Sequence, residues 1–255
     1  MKTRYQVAIV GGGVTGTALA YVLSRYTNVS KIILLEKYAR VATVNSHPLN
    51  NAQTSHDGST ETNYTLEHAL KVKEAATALR RYVDSKNDDT LSKKVRRMVI
   101  AVTTKEVEEL KKRYDEFKPY YPDLWLMDWH SLSNMEPNLV RGRSMFKPSI
   151  LAMGSDEGYI VNYQQLANHM TKDAEVYNRN FQIRFKSPVS LIKKCNGTRF
   201  SGGDKEWEEP FYGYALDTPS GLVFADTIVF AAGPYSLFFA QKLGYGLDYG
   251  ILSFL

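Results

Sequence analysis

The stretch Val7-Ala-Ile-Val-Gly-Gly-Gly-Val-Thr-Gly16 decides the fold of this 255-residue chain. Its apolar first part, Val7–Val10, predicts a buried parallel strand, and the residues that follow the stretch predict a helix. Gly11, Gly13 and Gly16 form a Gly-x-Gly-x-x-Gly pattern between the two elements. The first glycine allows a tight turn, the second lets backbone approach a pyrophosphate, and the third lets the helix pack on the strand. We therefore predict a phosphate-binding turn at the N-terminus of a helix.

The acidic residue Glu36 supports this prediction, because it ends a second apolar run, Lys31–Glu36, twenty residues after the last glycine of the pattern. A carboxylate at this place in a β-α-β unit accepts hydrogen bonds from a ribose diol and disfavours a 2′-phosphate. The strand, the glycines, the helix and the acid together predict a dinucleotide site and argue against NADP. Val14, Thr15 and Lys37 lie directly beside these residues, so we include them among the predicted cofactor contacts.

The composition is that of a globular, mildly basic chain. Hydrophobic residues make up 44% of it, and 32 Lys and Arg against 27 Asp and Glu give a net charge of +5. This charge suits an anionic cofactor, an acidic substrate or an anionic membrane surface without selecting one. The run Lys93–Arg97 is typical of a solvated face, so we expect no nucleic-acid partner. We also expect no membrane-spanning helix, which needs an apolar run of about 18 residues, and no signal peptide before the first strand.

Cysteine and histidine usage argues against disulfides and metals. Cys195 is the only cysteine, so we expect no intrachain disulfide, a structural role for this thiol and a reducing compartment. The histidines away from the central loop show no metal-ligand spacing, and they are His47, His68, His130 and His169. We therefore predict no metal site.

The periodicity of the rest of the chain predicts two domains. Residues 46–65 are polar and follow neither a helical nor a strand period. Long loops of this kind in compact domains are usually functional or disordered. We predict an α/β fold in which residues 1–85 and 155–255 build a doubly wound, mostly parallel sheet, with an inserted antiparallel region at 86–154.

The glycine pattern with Glu36, together with Thr227-Ile-Val-Phe-Ala-Ala-Gly233 near the other end, resembles the FAD-dependent oxidoreductases of the glutathione-reductase and D-amino-acid-oxidase type. The resemblance implies that FAD is bound non-covalently by the doubly wound, Rossmann-like sheet. It also implies that Ala232 and Gly233 approach the flavin side of the cofactor and that backbone at Val189 meets the adenine. The inserted region would then form part of a substrate cap.

Three segments carry a closer resemblance to the malate:quinone oxidoreductase family, and they are Asn51–Thr65, Met135–Asn138 and Gly244–Asp248. Members of that family are usually about twice as long, so the chain is similar to an N-terminal portion. The resemblance implies oxidation of (S)-malate to oxaloacetate, a step of the tricarboxylic acid cycle, with electrons passed to a membrane quinone. It further implies a peripheral membrane protein, at the cytoplasmic face in a bacterium or at the mitochondrial inner membrane in a eukaryote.

His56 is the predicted catalytic residue, because the family lays this loop along the flavin. A neutral imidazole there can take the hydroxyl proton of malate or a similar 2-hydroxy acid. A second interpretation, in which His56 only braces the loop, stays open. The resemblance also assigns Asn51, Thr54 and Ser55 to the cofactor, with loop stabilisation as the alternative.

Other polar residues have weaker claims to a role in the site. Arg97, Arg141 and Arg143 are candidates for the substrate carboxylate, although each is more typical of a surface charge. Glu61 and Asn63 are more typical of residues that tie the loop down. The residues that bind malate in the family can also lie in the part that this chain lacks.

Three alternative functions remain open. A 2-hydroxyglutarate-type dehydrogenase has a similar Asn…His-x-Gly loop, although the continuation Glu61–Thr65 favours the malate enzyme. An NAD-dependent dehydrogenase has the first β-α-β unit but gives no reason for Ala232-Gly233 or the His56 loop. The apolar end at Leu255 also suggests a truncated fragment that binds FAD without catalysis. Flavin absorbance of the purified protein separates the flavoenzymes from the other two.

Overall fold

The computed structural model describes residues 4–143, 145, 150–198 and 210–250. A loop suggested by the sequence at 198–210, and the apolar end at 250–255, lie almost entirely outside the described residues. In chain order the described elements are β1 (Arg4–Val10), α1 (Val14–Tyr26), β2 (Ile32–Leu35), β3 (Thr54–Ser55), α2 (Leu66–Asp84), β4 (Ser92–Ala101), α3 (Thr104–Phe117), β5 (Leu124–Met127), α4 (Trp129–Met135), α5 (Pro137–Val140), β6 (Leu151–Val161), α6 (Tyr163–Tyr177), β7 (Phe181–Arg184), β8 (Leu191–Thr198), β9 (Phe211–Thr218), β10 (Gly221–Phe230) and α7 (Tyr235–Lys242).

Two compact units make up the chain. Unit 1 comprises Met1–Asn51 and Tyr163–Leu255, and unit 2 comprises Ala52–Asn162. Unit 2 is larger than the insertion predicted at 86–154, because β3 pairs with β6 and because α2 contributes to the same apolar core as α3 and β6. Strand β6 also continues past residue 154 as one unbroken element. The predicted boundaries therefore cut through an antiparallel sheet that folds as a whole.

Unit 1 is built on a six-stranded sheet in the order β7-β2-β1-β10-β9-β8. The first four strands are parallel, and β9 and β8 complete the sheet as antiparallel neighbours. Because side chains alternate between the two faces of a strand, β1 and β2 bury apolar residues on both. Helices α1 and α6 cover one face and Phe239 of α7 packs on the other. This arrangement confirms the predicted α/β fold with a doubly wound, mostly parallel sheet.

Unit 2 contains an antiparallel sheet in which β6 pairs with β3, β4 and β5. One face of β6 packs through Met153 on α2 and α3, where Phe117 and Leu110 are buried. The other face packs through Ala152 on α4 and α5, where Leu132 and Val140 are buried. The antiparallel pairing of the inserted region is as the sequence predicts.

The basic run Lys93–Arg97 divides between the two faces of β4. Arg96 forms an exposed ion pair with Asp156 at 2.6 Å, and Lys94 pairs with Glu157. Arg96 and Lys94 therefore lie on a solvent-exposed face, as predicted. Arg97 has a side chain that is only 11% exposed and belongs to the interior. Exposed pairs of this kind contribute at most about 1 kcal/mol, so Arg97 is the member of the run that matters for structure.

Tyr121 provides a test of the core of unit 2. Its hydroxyl is buried within hydrogen-bond distance of the carbonyls of Asp57 (3.0 Å) and Ala69 (2.9 Å). Burial raises the pKa of Tyr121 from 10.0 to about 12. The unfolded chain therefore loses the phenol proton first, so this contribution to stability is complete below pH 10.0 and is lost as the pH rises towards about 12.

We expect Tyr121→Phe to lower the free energy of unfolding by about 1–2 kcal/mol at neutral pH, because it removes a buried donor. The variant should also lose less stability than the parent between neutral and strongly alkaline pH. Chemical denaturation at both pH values measures the two effects, with Tyr120→Phe at an exposed position as the matched control. Equal alkaline losses in parent and Tyr121→Phe would contradict the assignment.

Candidate functional site

The glycine turn after β1 is shaped by two close approaches within unit 1. Gly11 has a φ of +111°, and a β-carbon there would lie 2.4 Å from the carbonyl oxygen of Ala231. A β-carbon on Gly16 would lie 2.0 Å from the carbonyl oxygen of Gly11. These two glycines are therefore required by the packing of β1, α1 and the end of β10, in the roles that the sequence predicts for them.

Gly13 differs, because the chain itself leaves room for a side chain at this position. Among the described residues the atom nearest to its missing β-carbon is Ser46 Oγ, at 3.6 Å. Gly13 is also the N-cap of α1, and the adjacent Val14 N–H donates to Ser46 Oγ at 3.1 Å. Thr15 follows with an exposed side chain in the first helical turn. The first amides of a helix lack partners within it, so open space and N–H groups coincide here and fit a pyrophosphate.

Glu36 lies at the end of β2 beside this turn, and it is only 7% exposed. One carboxylate oxygen accepts the Gly12 N–H at 2.6 Å and the other accepts the Tyr38 N–H at 2.8 Å. Each oxygen keeps a further lone pair that a ribose hydroxyl can use. The position fits the ribose-binding acid that the sequence predicts, whereas the neighbouring Lys37 is exposed, with its ammonium 5.4 Å from the Tyr38 ring centroid.

The segment around Val189 runs beside Glu36. Ser187 N–H donates to the carbonyl of Glu36 at 2.9 Å, and Lys186 N–H donates to that of Tyr38 at 2.9 Å. Val189 itself is half-buried and packs on the core of unit 1. Its contact with an adenine stays a prediction, but its backbone follows a segment that is hydrogen-bonded to the ribose end of the expected site.

The turn after β10 meets the glycine turn from the other side. Ala231 N–H donates to the carbonyl of Val10 at 2.8 Å, which extends the pairing of β10 with β1 beyond the strand. Ala232 N–H then donates to Ser236 Oγ at 3.1 Å, and Gly233 turns the backbone with a φ of +56°. The two ends of the chain that resemble FAD-dependent oxidoreductases are therefore neighbours in unit 1.

The segment Thr43–Ser46 completes this region and was missed by the sequence reasoning. It begins after Ala42, whose N–H donates to the carbonyl of Gly12 at 2.9 Å. Asn45 Nδ2 lies 3.6 Å from the position of a β-carbon on Gly233. Thr43 Oγ1 is buried without a hydrogen-bond partner among the described residues, as expected of a group that contacts a ligand. The sequence signal for this segment is the set of small polar residues that follows the apolar pair Val41-Ala42.

Not all predicted cofactor residues belong to unit 1. Asn51 ends the first stretch of that unit with an exposed side chain. Thr54 and Ser55 form β3 in unit 2, where they pair with Ile160 and Tyr159 of β6. His56 follows them directly in the same unit.

Arg97 holds the His56 loop from the sheet of unit 2. Its guanidinium forms an ion pair with Asp57 and donates to Ser59 Oγ at 2.9 Å. Ser59 N–H in turn donates to Asp57 at 2.9 Å. The prediction of a surface charge is wrong for Arg97, because it compensates a carboxylate of the loop in the interior. Arg141 and Arg143 are exposed, as predicted.

Arg113 holds the other half of the loop through backbone carbonyls. It donates to the carbonyls of Glu61 at 2.6 Å and Tyr64 at 2.8 Å, with a longer contact to Gly58 at 3.4 Å. Its guanidinium lies 3.9 Å from the ring centroid of Phe117, and burial lowers the pKa of Arg113. Two arginines from β4 and α3 therefore fix a loop that the sequence left without structure.

His56 and Glu61 form a pair in this loop. The distance from His56 Nδ1 to Glu61 Oε1 is 2.5 Å. The imidazole is 59% exposed, whereas the Glu61 side chain is 13% exposed. An accessible imidazole with a carboxylate on one nitrogen can take a proton at the other.

Neither a metal-binding cluster nor a membrane-spanning helix occurs among the described residues. Within them no group of three or more His, Cys, Asp or Glu side chains could hold a metal ion. None of their helices combines the length and apolar character needed to cross a bilayer. Cys195 is a buried free thiol.

The fold defines a class of protein. The chain superposes on glycine oxidase from Geobacillus kaustophilus with a TM-score of 0.68 and 21% identity, covering 94% of this chain and 58% of the other. It superposes equally on L-alpha-glycerophosphate oxidase from Mycoplasma pneumoniae, solved with FAD bound, with a TM-score of 0.69 and 21% identity over 94% and 57% of the two chains. The chain therefore shares the fold of these two oxidases, the second of which was solved with FAD bound.

Within this class the chain belongs to the malate:quinone oxidoreductase family, whose sequence model matches residues 3–209. A probable malate:quinone oxidoreductase from Helicobacter acinonychis is 34% identical and one from Campylobacter jejuni is 33% identical, over 99% and 97% of this chain. The Helicobacter pylori malate:quinone oxidoreductase is 32% identical over 99%. The chain spans about half, 54%, of the length of each of these relatives.

The contrast between Gly13 and Gly16 gives a test of the cofactor site. Without FAD, we expect Gly13→Val to lower the melting temperature less than Gly16→Ala does, because only the helix cap changes. After FAD is added we expect no binding, because the valine side chain would enter the open space where a pyrophosphate fits. Gly16→Ala should instead destabilise the protein by about 1–3 kcal/mol, because its β-carbon meets backbone. Thermal melting and the ratio of flavin to protein after incubation with FAD measure both. A Gly13→Val protein with the parental flavin ratio would place the cofactor elsewhere.

Proposed function

We propose that this protein is the FAD-binding and substrate-capping portion of an enzyme that oxidises (S)-malate to oxaloacetate and passes the electrons to a membrane quinone. The observation that carries the proposal is the open space at Gly13, beside the carboxylate of Glu36 and the Ala232-Gly233 turn, in a chain of this family. A reaction of this kind is a step of the tricarboxylic acid cycle. Because the chain spans 54% of the relatives' length, the full reaction is proposed for the whole protein.

Unit 1 would hold the FAD. The helix N-terminus at Val14 and Thr15 would bind the pyrophosphate, with the Val14 N–H shared with Ser46 Oγ, and Glu36 would accept the ribose hydroxyls. Backbone near Val189 would meet the adenine. The residues of unit 1 proposed for the flavin end are Asn51, Ala232 and Gly233. The resemblance in sequence adds Thr54 and Ser55, which belong to unit 2. The buried, unpartnered hydroxyl of Thr43 and the polar side chains beside it supply further donors and acceptors.

Unit 2 would contribute the substrate cap and the base. When bound, FAD supplies the two-electron acceptor for the hydride that leaves C2 of a 2-hydroxy acid. His56 would take the hydroxyl proton, so the substrate loses two electrons and two hydrogens in all. A quinone that receives two electrons and two protons becomes a quinol, which closes the balance.

A FAD-binding protein without turnover is the second candidate, and a specific observation favours it. The relatives are nearly twice as long as this chain, so residues that bind malate can lie in sequence that it does not contain. A 2-hydroxyglutarate-type substrate is the other alternative. His56 would act on the 2-hydroxyl group, which malate and 2-hydroxyglutarate share. Reduction of the FAD-loaded protein by malate, compared with reduction by 2-hydroxyglutarate, separates the three.

In the whole protein, His56→Ala should lower malate-driven flavin reduction by at least about 100-fold, since general-base catalysis contributes about 10²–10⁴-fold. The flavin content should stay close to that of the parent. Anaerobic mixing of the FAD-loaded protein with malate measures the rate, and His130→Ala at an exposed position of α4 is the control. Loss of flavin together with activity would favour a bracing role for His56, and a parental rate would assign the base to another residue.

A quinone acceptor is dissolved in the bilayer, so we also propose peripheral membrane association. The net charge of +5 favours anionic lipid. We expect the protein to sediment with anionic vesicles at low salt and to be released at high salt, because salt screens such contacts. Vesicles of neutral lipid are the control. A protein that stays entirely in the supernatant at low salt would count against a quinone as acceptor, and fractionation of cells would separate the bacterial cytoplasmic face from the mitochondrial inner membrane.

A further inference from the structure

We propose that Glu61 is the positioning residue of His56, and that its carboxylate fixes the proton of the neutral imidazole on Nδ1 so that Nε2 is the free acceptor. The proposal goes beyond the tying role that the sequence suggests for Glu61. It rests on the proposed function only in assigning the reaction that uses His56. The tautomer of His56 is set by contacts within the chain, so it can be measured without substrate.

The side chains of His56 and Glu61 differ strongly in their exposure to solvent. Glu61 Oε1 lies 2.5 Å from His56 Nδ1, and the Glu61 side chain is 13% exposed against 59% for His56. An ionised carboxylate has acceptors only, so the imidazole must donate from Nδ1. The second oxygen, Oε2, is buried without a hydrogen-bond partner among the described residues. A desolvated carboxylate gains more from its remaining hydrogen bond than a solvated one would.

The two arginines that contact the loop have other hydrogen-bond partners than the Glu61 side chain. Arg97 is engaged by Asp57 and by Ser59, and among the described residues it forms no ion pair with Glu61. Arg113 donates from both terminal nitrogens to backbone carbonyls, including that of Glu61. Tyr121 contacts the loop through the carbonyl of Asp57 and stays neutral, because burial raises its pKa to about 12. Among the charged and titratable groups that contact the loop, His56 is therefore the partner of the Glu61 side chain.

Backbone contacts of the turn between His56 and Glu61 preorganise this pair. Gly58 has a φ of +88°, and a β-carbon there would lie 2.6 Å from the carbonyl oxygen of Ala69, so the turn between His56 and Glu61 is tightly packed. Arg113 then fixes the carbonyls on both sides of that turn. The side chain of Glu61 takes no part in these contacts, so replacing it should leave the loop in place.

The consequence is a directed proton transfer. When the O–H bond of a 2-hydroxy acid breaks, the proton binds Nε2, and the C2 hydrogen leaves with its electron pair to the flavin. The resulting imidazolium donates from Nδ1 to Glu61, which stabilises the positive charge without accepting the proton itself. Glu61 thus acts through His56, and it needs no contact with substrate.

The tautomer can be measured on the chain without cofactor. In protein labelled with ¹⁵N-histidine, the signals of His56 are those that disappear in His56→Gln. We expect neutral His56 to carry its proton on Nδ1 in the parent and to shift mainly to Nε2 in Glu61→Gln. Glu67→Gln is the matched control, because Glu67 pairs with Lys71 at 2.7 Å on the surface and should leave His56 unchanged. An Nε2–H tautomer in the parent would overturn the proposal, whether or not the variant folds.

The second measurement concerns the rate. In the whole FAD-loaded protein, Glu61→Gln should lower malate-driven flavin reduction at least about tenfold, a part of the general-base contribution, with the parental flavin content and little change in KM. Glu67→Gln should react like the parent. A parental rate in Glu61→Gln would refute the positioning role. Failure of the parent itself to react with malate would instead refute the proposed function, and the Nδ1–H tautomer of the unloaded chain would still decide the role of Glu61.

Discussion

The close contact between the turn at Gly11 and the backbone after β10 is the constraint on which unit 1 depends. Strand β1 lies between β2 and β10, and all three run in the same direction. Their carboxyl ends therefore open at one edge of the sheet, where α/β proteins bind ligands. Gly11, Glu36 and Ala231 are the residues that follow these strands, and any side chain at Gly11 would collide with the carbonyl of Ala231. One backbone approach thus sets the geometry of the whole edge.

Much of this edge could be predicted from the sequence because its determinants are local. An apolar strand, three spaced glycines, a helix and an acid occur within the first 36 residues, and each carries a physical requirement that can be recognised without a partner. The Thr43–Ser46 segment could not be found in this way. Its importance comes from contacts with Val14 and Gly233, of which the second lies far along the chain.

The His56 loop shows the complementary limit. A polar stretch without periodicity predicts neither order nor disorder, and here order comes from Arg97 and Arg113, which lie on β4 and α3. In sequence both arginines occur among other charges and are typical of surface residues. Only tertiary pairing, with Asp57 for the first and with backbone carbonyls for the second, shows that they are structural. The unit boundaries were misplaced for the same reason, since strand pairing across β6 is not visible in composition.

Gly13 has a consequence for how much folded protein a cell can maintain. Its backbone, with φ −70° and ψ 178°, is one that most residues adopt without strain. Alanine at such a position restricts the unfolded chain, which typically contributes about 0.4–1 kcal/mol of stability. Alanine also caps a helix less well than glycine, so the two effects oppose each other. A ligand present at about 100 times its Kd contributes about 2.7 kcal/mol. For a protein that binds a cofactor at this turn, cofactor supply is therefore a determinant of abundance.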